Sequence, residues 1–190
     1  MFIQTEATPN PATLKFIPGK PVLDSGTLEY RGLDEAADSP LASRLFGVDG
    51  VTGVFLGQDF ISVSKGEPIA WQHLKPAVLG AIMEHFMSGA PVVGGAVPAT
   101  GETAGNGSED FAPEDQEIVD TIKELIETRV RPAVANDGGD IVFRGFREGV
   151  VTLHMRGACS GCPSSTATLR NGIENLLKHF VPEVMEVRAA

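Results

Sequence analysis

Cysteine is scarce in this sequence, which limits where thiol chemistry can occur. Only two cysteines, Cys159 and Cys162, occur in 190 residues, and they lie three positions apart. Two such closely spaced thiols favour metal or redox chemistry in a reducing compartment over a structural disulfide. Thiol chemistry is therefore confined to one short stretch of the chain.

Basic residues are also in short supply. Lysine and arginine number 15 against 25 aspartates and glutamates, which gives a formal net charge of −10 at pH 7. Residues 1–95 contain 6 basic and 10 acidic side chains, and residues 96–190 contain 9 and 15. Because nucleic acids and anionic membranes attract basic surfaces, neither is expected as a partner. We expect protein partners instead.

Long hydrophobic runs are missing as well. The longest weakly polar stretch, Ala90 to Ala99, is broken by glycines and prolines, so no membrane-spanning helix is expected. The first residues have neither the basic and apolar regions of a secretory signal nor the arginines of a transit peptide. We therefore expect the bacterial cytoplasm, with the mitochondrial matrix as the alternative if a presequence has been removed.

Composition divides the chain into two folded segments and a linker. Residues 98–108 have no hydrophobic periodicity and almost no large apolar side chain. Such a segment cannot bury enough surface to offset the entropy lost on ordering. We predict two small α+β domains, at 1–87 and 114–190, joined by a flexible linker at 88–113.

The first domain shows the patterns of an antiparallel sheet with one main helix. Its predicted strands are 1–6, 13–17, 28–30, 51–56 and 60–64, and its predicted helices are 40–46 and a long one from Trp71 to Gly89. His73 and His85 are interpreted as ordinary surface or core-edge histidines, and Met83 and Met87 as a packing pair. We interpret this domain as a binding module for clients or assembly partners.

The second domain follows the order helix–strand–strand–helix–strand. Its predicted elements are a helix from Pro113 that is interrupted at Pro132, strands at 141–146 and 150–155, a helix after the cysteines that ends before Pro182, and a last strand at 184–187. Asp137 and Asp140 flank two glycines, so they are interpreted as turn formers in preference to catalytic or metal-binding carboxylates.

The cysteines lie between a strand pattern and a helix pattern, in the stretch Gly157-Ala-Cys-Ser-Gly-Cys-Pro-Ser-Ser165. Pro163 suits the first turn of a helix, so both sulfurs are expected near a helix N-terminus. Unpaired N–H groups and the helix dipole there favour anions and lower thiol pKa values. Gly157 and Gly161 let the backbone come close to whatever the sulfurs hold.

Three chemistries fit a single CxxC pair. They are iron–sulfur ligation, a zinc site completed by histidines, and a thiol–disulfide oxidoreductase with Cys159 as the nucleophile. Two inert thiols packed in the core are a fourth possibility, which is disfavoured because the serine and glycine between the cysteines make a poor core segment. The zinc site is disfavoured, because His154 lies on the preceding strand and His179 lies four helical turns beyond the cysteines. The redox enzyme is the main alternative to cluster binding.

Ligand counting adds a further hypothesis. A four-cysteine iron–sulfur cluster needs four thiolates, and one chain supplies two. Two copies related by a two-fold axis supply all four, so the cluster would bridge a homodimer at the CxxC loops. A cluster at the edge of such a dimer interface has little protein around it, so it is more readily transferred than one enclosed by a single chain. This arrangement suits a carrier.

The sequence also resembles a known family over nearly its whole length outside the linker. Asp137-Gly-Gly-Asp140, the cysteine stretch and Thr168-Leu169 resemble the C-terminal domain of the NifU family. Thr8-Pro-Asn-Pro11, with Thr13-Leu-Lys-Phe16 and Leu74-Lys-Pro76, resembles the N-terminal domain of Nfu-type proteins. The resemblance implies a non-enzymatic scaffold that assembles a [4Fe–4S] cluster and delivers it to apo-proteins. It also implies that Cys159 and Cys162 are the metal ligands and that two subunits share the cluster.

Overall fold

The computed structural model describes residues 1–95, 110–160 and 163–190, and the remaining residues, 96–109 and 161–162, lie outside the description. The chain divides into two compact units, Met1–Thr103 and Ala104–Ala190, here called unit 1 and unit 2. Each unit combines helices with its own β-sheet. The predicted α+β class is therefore confirmed.

Unit 1 is a five-stranded antiparallel sheet with helices on one face. The strand order is β1-β2-β5-β4-β3, and every neighbouring pair runs antiparallel. Its elements are β1 (Gln4–Ala7), β2 (Thr13–Ile17), β3 (Leu28–Tyr30), a 3₁₀ turn (Glu35–Asp38), α1 (Pro40–Phe46), β4 (Val51–Leu56), β5 (Ile61–Lys65) and α2 (Trp71–Ser88).

The core of unit 1 lies between the sheet and the two helices. Side chains that alternate along β2, β4 and β5 meet the apolar positions of α1 and α2, since a strand presents every second residue to one face. Helix α2 continues through Pro76 and ends at Ser88, and the capping residue Gly89 adopts the left-handed conformation that glycine tolerates. Buried Leu74, Val78 and Ile82 recur at helical spacing and hold α2 on the sheet.

Unit 2 is a four-stranded mixed sheet in the order β6-β7-β8-β9. Strands β7 and β8 form a long antiparallel hairpin, and the edge strands β6 and β9 pair with it in parallel. Its elements are β6 (Asp110–Phe111), a 3₁₀ turn (Pro113–Asp115), α3 (Gln116–Leu125), a π turn (Ile126–Val130), α4 (Arg131–Asn136), β7 (Gly139–Arg147), β8 (Val150–Gly157), α5 (Pro163–Phe180) and β9 (Glu186–Ala189).

Pro132 does not interrupt the first helical segment of unit 2, contrary to the prediction. Helical backbone continues from Gln116 to Asn136, with a π turn at Ile126–Val130 immediately before the proline. A proline lacks an N–H donor and crowds the carbonyl four residues earlier, here that of Thr128. The widened π turn accommodates that carbonyl, so the apolar residues on both sides of Pro132 still join one core.

The centre of the predicted linker lies outside the described residues, and the described ends carry contacts. The N–H of Gly94 donates to the carbonyl of Asp38 at 2.7 Å, and the hydroxyl of Ser39 donates to the carbonyl of Val92 at 2.6 Å. At the other end, β6 pairs with β7. Among the described residues, no helix combines the length and apolar character that crossing a membrane requires.

Candidate metal centre

The first half of the cysteine stretch leaves β8 through a tight turn. Gly157, the last residue of β8, has a φ of 64°, in the left-handed region that favours glycine. The backbone N–H and the hydroxyl of Ser160 both donate to the carbonyl of Gly157, at 3.1 and 2.9 Å. Residues 157–160 are therefore tied together within their own turn, ahead of α5.

Cys159 points into the core of unit 2. Its side chain is free of any disulfide, only 6% exposed, and packed within the apolar cluster between the sheet and the helices. The thiol lies against Gly139 at the start of β7, where a methyl group built on Gly139 would come 2.6 Å from Cys159 Sγ. Two further bonds hold the segment: Ala158 N–H donates to the carbonyl of Gly138 at 3.2 Å, and Thr166 Oγ1 donates to that of Cys159 at 3.0 Å.

The thiol of Cys159 is harder to ionise than expected. Burial raises its pKa to about 12, and the negative charges of Asp137 and Asp140 act in the same direction. The sequence predicted a lowered pKa at a helix N-terminus, and for Cys159 that prediction is wrong. The reason is that packing turns this side chain toward the apolar core, where desolvation disfavours the thiolate. In this conformation Cys159 is a neutral thiol at pH 7.

The second cysteine, Cys162, lies outside the described residues together with Gly161. The structure places the start of α5 at Pro163, as the sequence predicted. Among the described residues, no group of three or more histidine, cysteine, aspartate or glutamate side chains is arranged to hold a metal ion. The assignment of Cys159 and Cys162 as ligands stays a prediction.

Asp140 is not the turn former that the sequence predicted. It lies in β7, is only 3% exposed, and accepts a bidentate ion pair from the guanidinium of Arg131 at 2.8 and 2.9 Å. The same carboxylate accepts the N–H of Ile141 at 2.8 Å. Asp140 thus ties α4 to the sheet beside the cysteine turn. Asp137, by contrast, lies in the exposed turn between α4 and β7, as predicted.

The other candidate residues lie apart from the cysteine turn. His154 is on β8, cross-strand from Val142, and His179 packs edge-on against Phe180 at the end of α5. In unit 1, His73 is exposed on α2 as expected. Met83 and Met87 are 38% and 76% exposed, so their interpretation as a packing pair is wrong.

Sequence reasoning missed two features of these units. The first is His85, which is fully buried in unit 1 and has no hydrogen-bond partner for either ring nitrogen among the described residues. The second is Gly139, whose missing side chain makes room for the Cys159 thiol. The two adjacent glycines between Asp137 and Asp140 indicated a close approach of another chain segment, but the sequence does not show that this segment is the one that contains Cys159.

Comparison with known proteins gives the family. Residues 3–89 match the family described as scaffold protein Nfu/NifU N terminal, and residues 122–188 match the NifU-like domain. The chain is 50% identical over 185 residues to a human protein named NFU1 iron-sulfur cluster scaffold homolog, mitochondrial, covering 97% of this chain and 70% of that protein. This chain belongs to the Nfu/NifU scaffold family.

Other members of the Nfu/NifU family are also similar. NifU-like protein 4, mitochondrial, from Arabidopsis thaliana is 47% identical over 98% of this chain, and the chain spans 65% of that protein. A solution structure of a NifU-like protein from Saccharomyces cerevisiae is 27% identical, with a TM-score of 0.45, covering 49% of this chain and 84% of that one. The two family-model matches and the sequence identity to these curated relatives confirm the family resemblance inferred from the sequence.

Proposed function

We propose that this chain is an iron–sulfur cluster scaffold that binds a [4Fe–4S] cluster between two copies and transfers it to apo-proteins. The observation that carries the proposal is the joint match of both units to the Nfu and NifU domains, with the only two cysteines inside the NifU-like match. Relatives named as iron–sulfur cluster scaffolds support it. In this proposal the cluster is cargo, and the chain is a carrier without catalytic turnover.

Cys159 and Cys162 are the proposed ligands. Thiolates are the usual protein ligands of such clusters, and four are needed for four irons. One chain supplies two, so a second copy must supply the others, and the loaded form is a homodimer. The alternative of a thiol–disulfide oxidoreductase needs Cys159 as a low-pKa nucleophile. In the position that the structure shows, burial raises the pKa of the Cys159 thiol to about 12, which disfavours the thiolate that either role requires; the matches to the two scaffold-family domains favour the cluster role.

Unit 1 is the proposed docking module for clients and assembly proteins. It has its own hydrophobic core and contains neither cysteine, so cluster ligation does not require it. A second binding module on the same chain raises the effective concentration of a client near the cluster.

The compartment is a further part of the proposal. The relatives from Arabidopsis thaliana, human and Drosophila sechellia are named as mitochondrial, which supports the mitochondrial matrix. They give no support to the bacterial cytoplasm, the first of the two expectations drawn from the sequence.

Anaerobic reconstitution with iron and sulfide tests cluster binding. We expect about four irons and four sulfides per two chains, and a shift from the size of the apo chain to that of a dimer. Cys159→Ser and Cys162→Ser should each remain folded and fail to retain the cluster, whereas Ser160→Ala, between the two cysteines, should load normally. A monomer that saturates with cluster, or a Cys→Ser variant that keeps a full one, would contradict the ligand assignment.

Transfer is tested with a purified [4Fe–4S] apo-protein as acceptor. A chain lacking residues 1–87 should load the same number of irons as the full chain but transfer its cluster more slowly, because the docking module is gone. The loaded full chain is the control, and absorbance of the acceptor measures the rate. Equal transfer rates from the two chains would reject the docking role of unit 1.

A further inference from the structure

The Cys159 thiol lies in space that is free because Gly139 has no side chain. A methyl group on Gly139 would lie 2.6 Å from Cys159 Sγ, 2.7 Å from the carbonyl oxygen of Arg156 and 3.1 Å from Cys159 N. Carbon atoms do not approach other heavy atoms this closely without displacing them. The first residue of β7 must therefore be glycine for the thiol to pack where it does.

This buried position does not suit a ligand of a shared cluster. At 6% exposure, and within the core cluster of unit 2, the sulfur faces the interior of its own chain. A cluster that takes ligands from two chains has to be reached from outside both of them. In the position that the structure shows, called here the inward position, Cys159 is out of reach of a second copy.

Packing and hydrogen bonds both hold the inward position: Ala158 and Cys159 are 1% and 6% exposed. Outside the turn itself, Ala158 N–H is bonded to the carbonyl of Gly138, and the carbonyl of Cys159 is bonded to Thr166 Oγ1. The two bonds from Ser160 to Gly157 lie within the turn and can move with it. Gly157, with its positive φ, connects the turn to β8. Exposing Cys159 therefore requires residues 158–160 to leave these contacts, a local opening that does not require β8 to unfold.

We propose that Gly139 is a positioning residue that stores the Cys159 thiol in the inward position while the chain is without cluster, and that loading requires residues 158–160 to move outward from it. The inference rests on the proposed ligand role of Cys159. The stored thiol is shielded from oxidants and alkylating agents until the turn opens. Gly139 acts through Cys159 and does not itself contact the cargo.

Thiol modification in the cluster-free chain tests this proposal without iron. In full-length Cys162→Ser, Cys159 is the only thiol, so intact-mass measurement of iodoacetamide addition reports on Cys159 alone. Adding Gly139→Ala should speed modification roughly tenfold or more at constant pH, because overpacking of this size is enough to shift a packed arrangement substantially. Unchanged modification in a folded Gly139→Ala chain would overturn the proposal.

Gly145→Ala, in the same Cys162→Ser background, is the matched control. Gly145 is also in β7, and a methyl group there would lie 2.7 Å from a backbone carbonyl oxygen, that of Asp110, without touching Cys159. We expect a comparable loss of stability against urea but no comparable gain in Cys159 modification. If both variants speed modification equally, general destabilisation explains the result and the positioning role is rejected.

A second measurement needs no substitution at Gly139 and covers the case in which Gly139→Ala fails to fold. In the Cys162→Ser chain, the modification rate is followed at urea concentrations below the unfolding transition. Outward movement of three residues exposes little surface, so the rate should change little with urea. A rate that climbs as steeply as global unfolding would show that Cys159 is exposed only when unit 2 unfolds, which contradicts the proposal. Because no cluster is involved, failure here is distinct from failure of reconstitution.

Discussion

At the scale of single residues, His85 has the least usual environment in unit 1. Its ring is fully buried on α2, and neither nitrogen has a hydrogen-bond partner among the described residues. Burial lowers its pKa below the ordinary value, and the positive charge of Arg44 lowers it further. The imidazole is therefore neutral in the folded chain at pH 7.

His85 should make unit 1 sensitive to mild acid. Since its folded pKa is below its unfolded pKa of about 6.5, the unfolded chain binds the proton first, and stability falls as the pH drops below about 6.5. We expect His85→Leu to raise the free energy of unfolding by about 1 kcal/mol at pH 7.5, because two unpartnered polar atoms leave the core. The gain should be larger at pH 5.5.

Urea unfolding followed by fluorescence measures this effect. Trp71, the single tryptophan of the chain, lies in unit 1 and bonds through its indole N–H to the carbonyl of Pro11 at 3.0 Å. His73→Leu, at an exposed position on the same helix, is the control and should leave the pH dependence unchanged. An equal stability difference at both pH values would contradict the lowered pKa.

At the scale of elements, Ser39 connects two segments that are distant in sequence. Its hydroxyl accepts the N–H of Ala42 at 3.1 Å, which caps the N-terminus of α1, and donates to the carbonyl of Val92 at 2.6 Å. The side chain is fully buried. The hydroxyl of Ser39 thus caps α1 and also holds Val92, in the segment that follows α2, against the start of α1.

Ser39→Ala should destabilise unit 1 by about 2 kcal/mol, because the helix loses its cap and the partly buried carbonyl of Val92 loses its donor. Urea unfolding monitored by Trp71 fluorescence gives the difference. Ser88→Ala is the matched control: that hydroxyl also bonds to a backbone carbonyl, of His85 at 2.6 Å, but at the exposed end of α2. A loss no greater than that of the control would show that the bond from Ser39 to Val92 contributes little.

At the scale of the whole molecule, each unit has its own hydrophobic core. The core of unit 1 is drawn from residues between Phe16 and Ile82, and that of unit 2 from residues between Val119 and Val187. A segment with a complete core of its own is expected to fold alone.

Residues 1–95 expressed alone should therefore unfold at the same urea midpoint as unit 1 in the full chain, with Trp71 fluorescence as the measurement. Residues 110–190 should keep their helical circular dichroism when expressed alone. Each fragment is compared with the full chain under identical conditions. A large loss of midpoint in the isolated first fragment would show that the two units depend on each other for stability.

Most of the secondary structure of both units could be predicted from local patterns. Helices α1 and α2 and strands β2, β3 and β4 begin and end at or next to the predicted residues, since apolar periodicity and bounding glycines and prolines act locally. The two-residue strand β6 was missed, because its pairing with β7 is the only thing that makes it a strand. The helix through Pro132 was missed because the π turn compensates for the proline.

The sequence by itself determined the family, the α+β class and the single place where thiols occur, because these depend on residue types and on their spacing along the chain. Only the tertiary structure decided the surroundings of those residues. It turned the Cys159 thiol inward against Gly139, paired Asp140 with Arg131 and buried His85. Packing brings together residues that are distant in sequence, and the desolvation and contacts that result determine whether a side chain is charged, shielded or reactive.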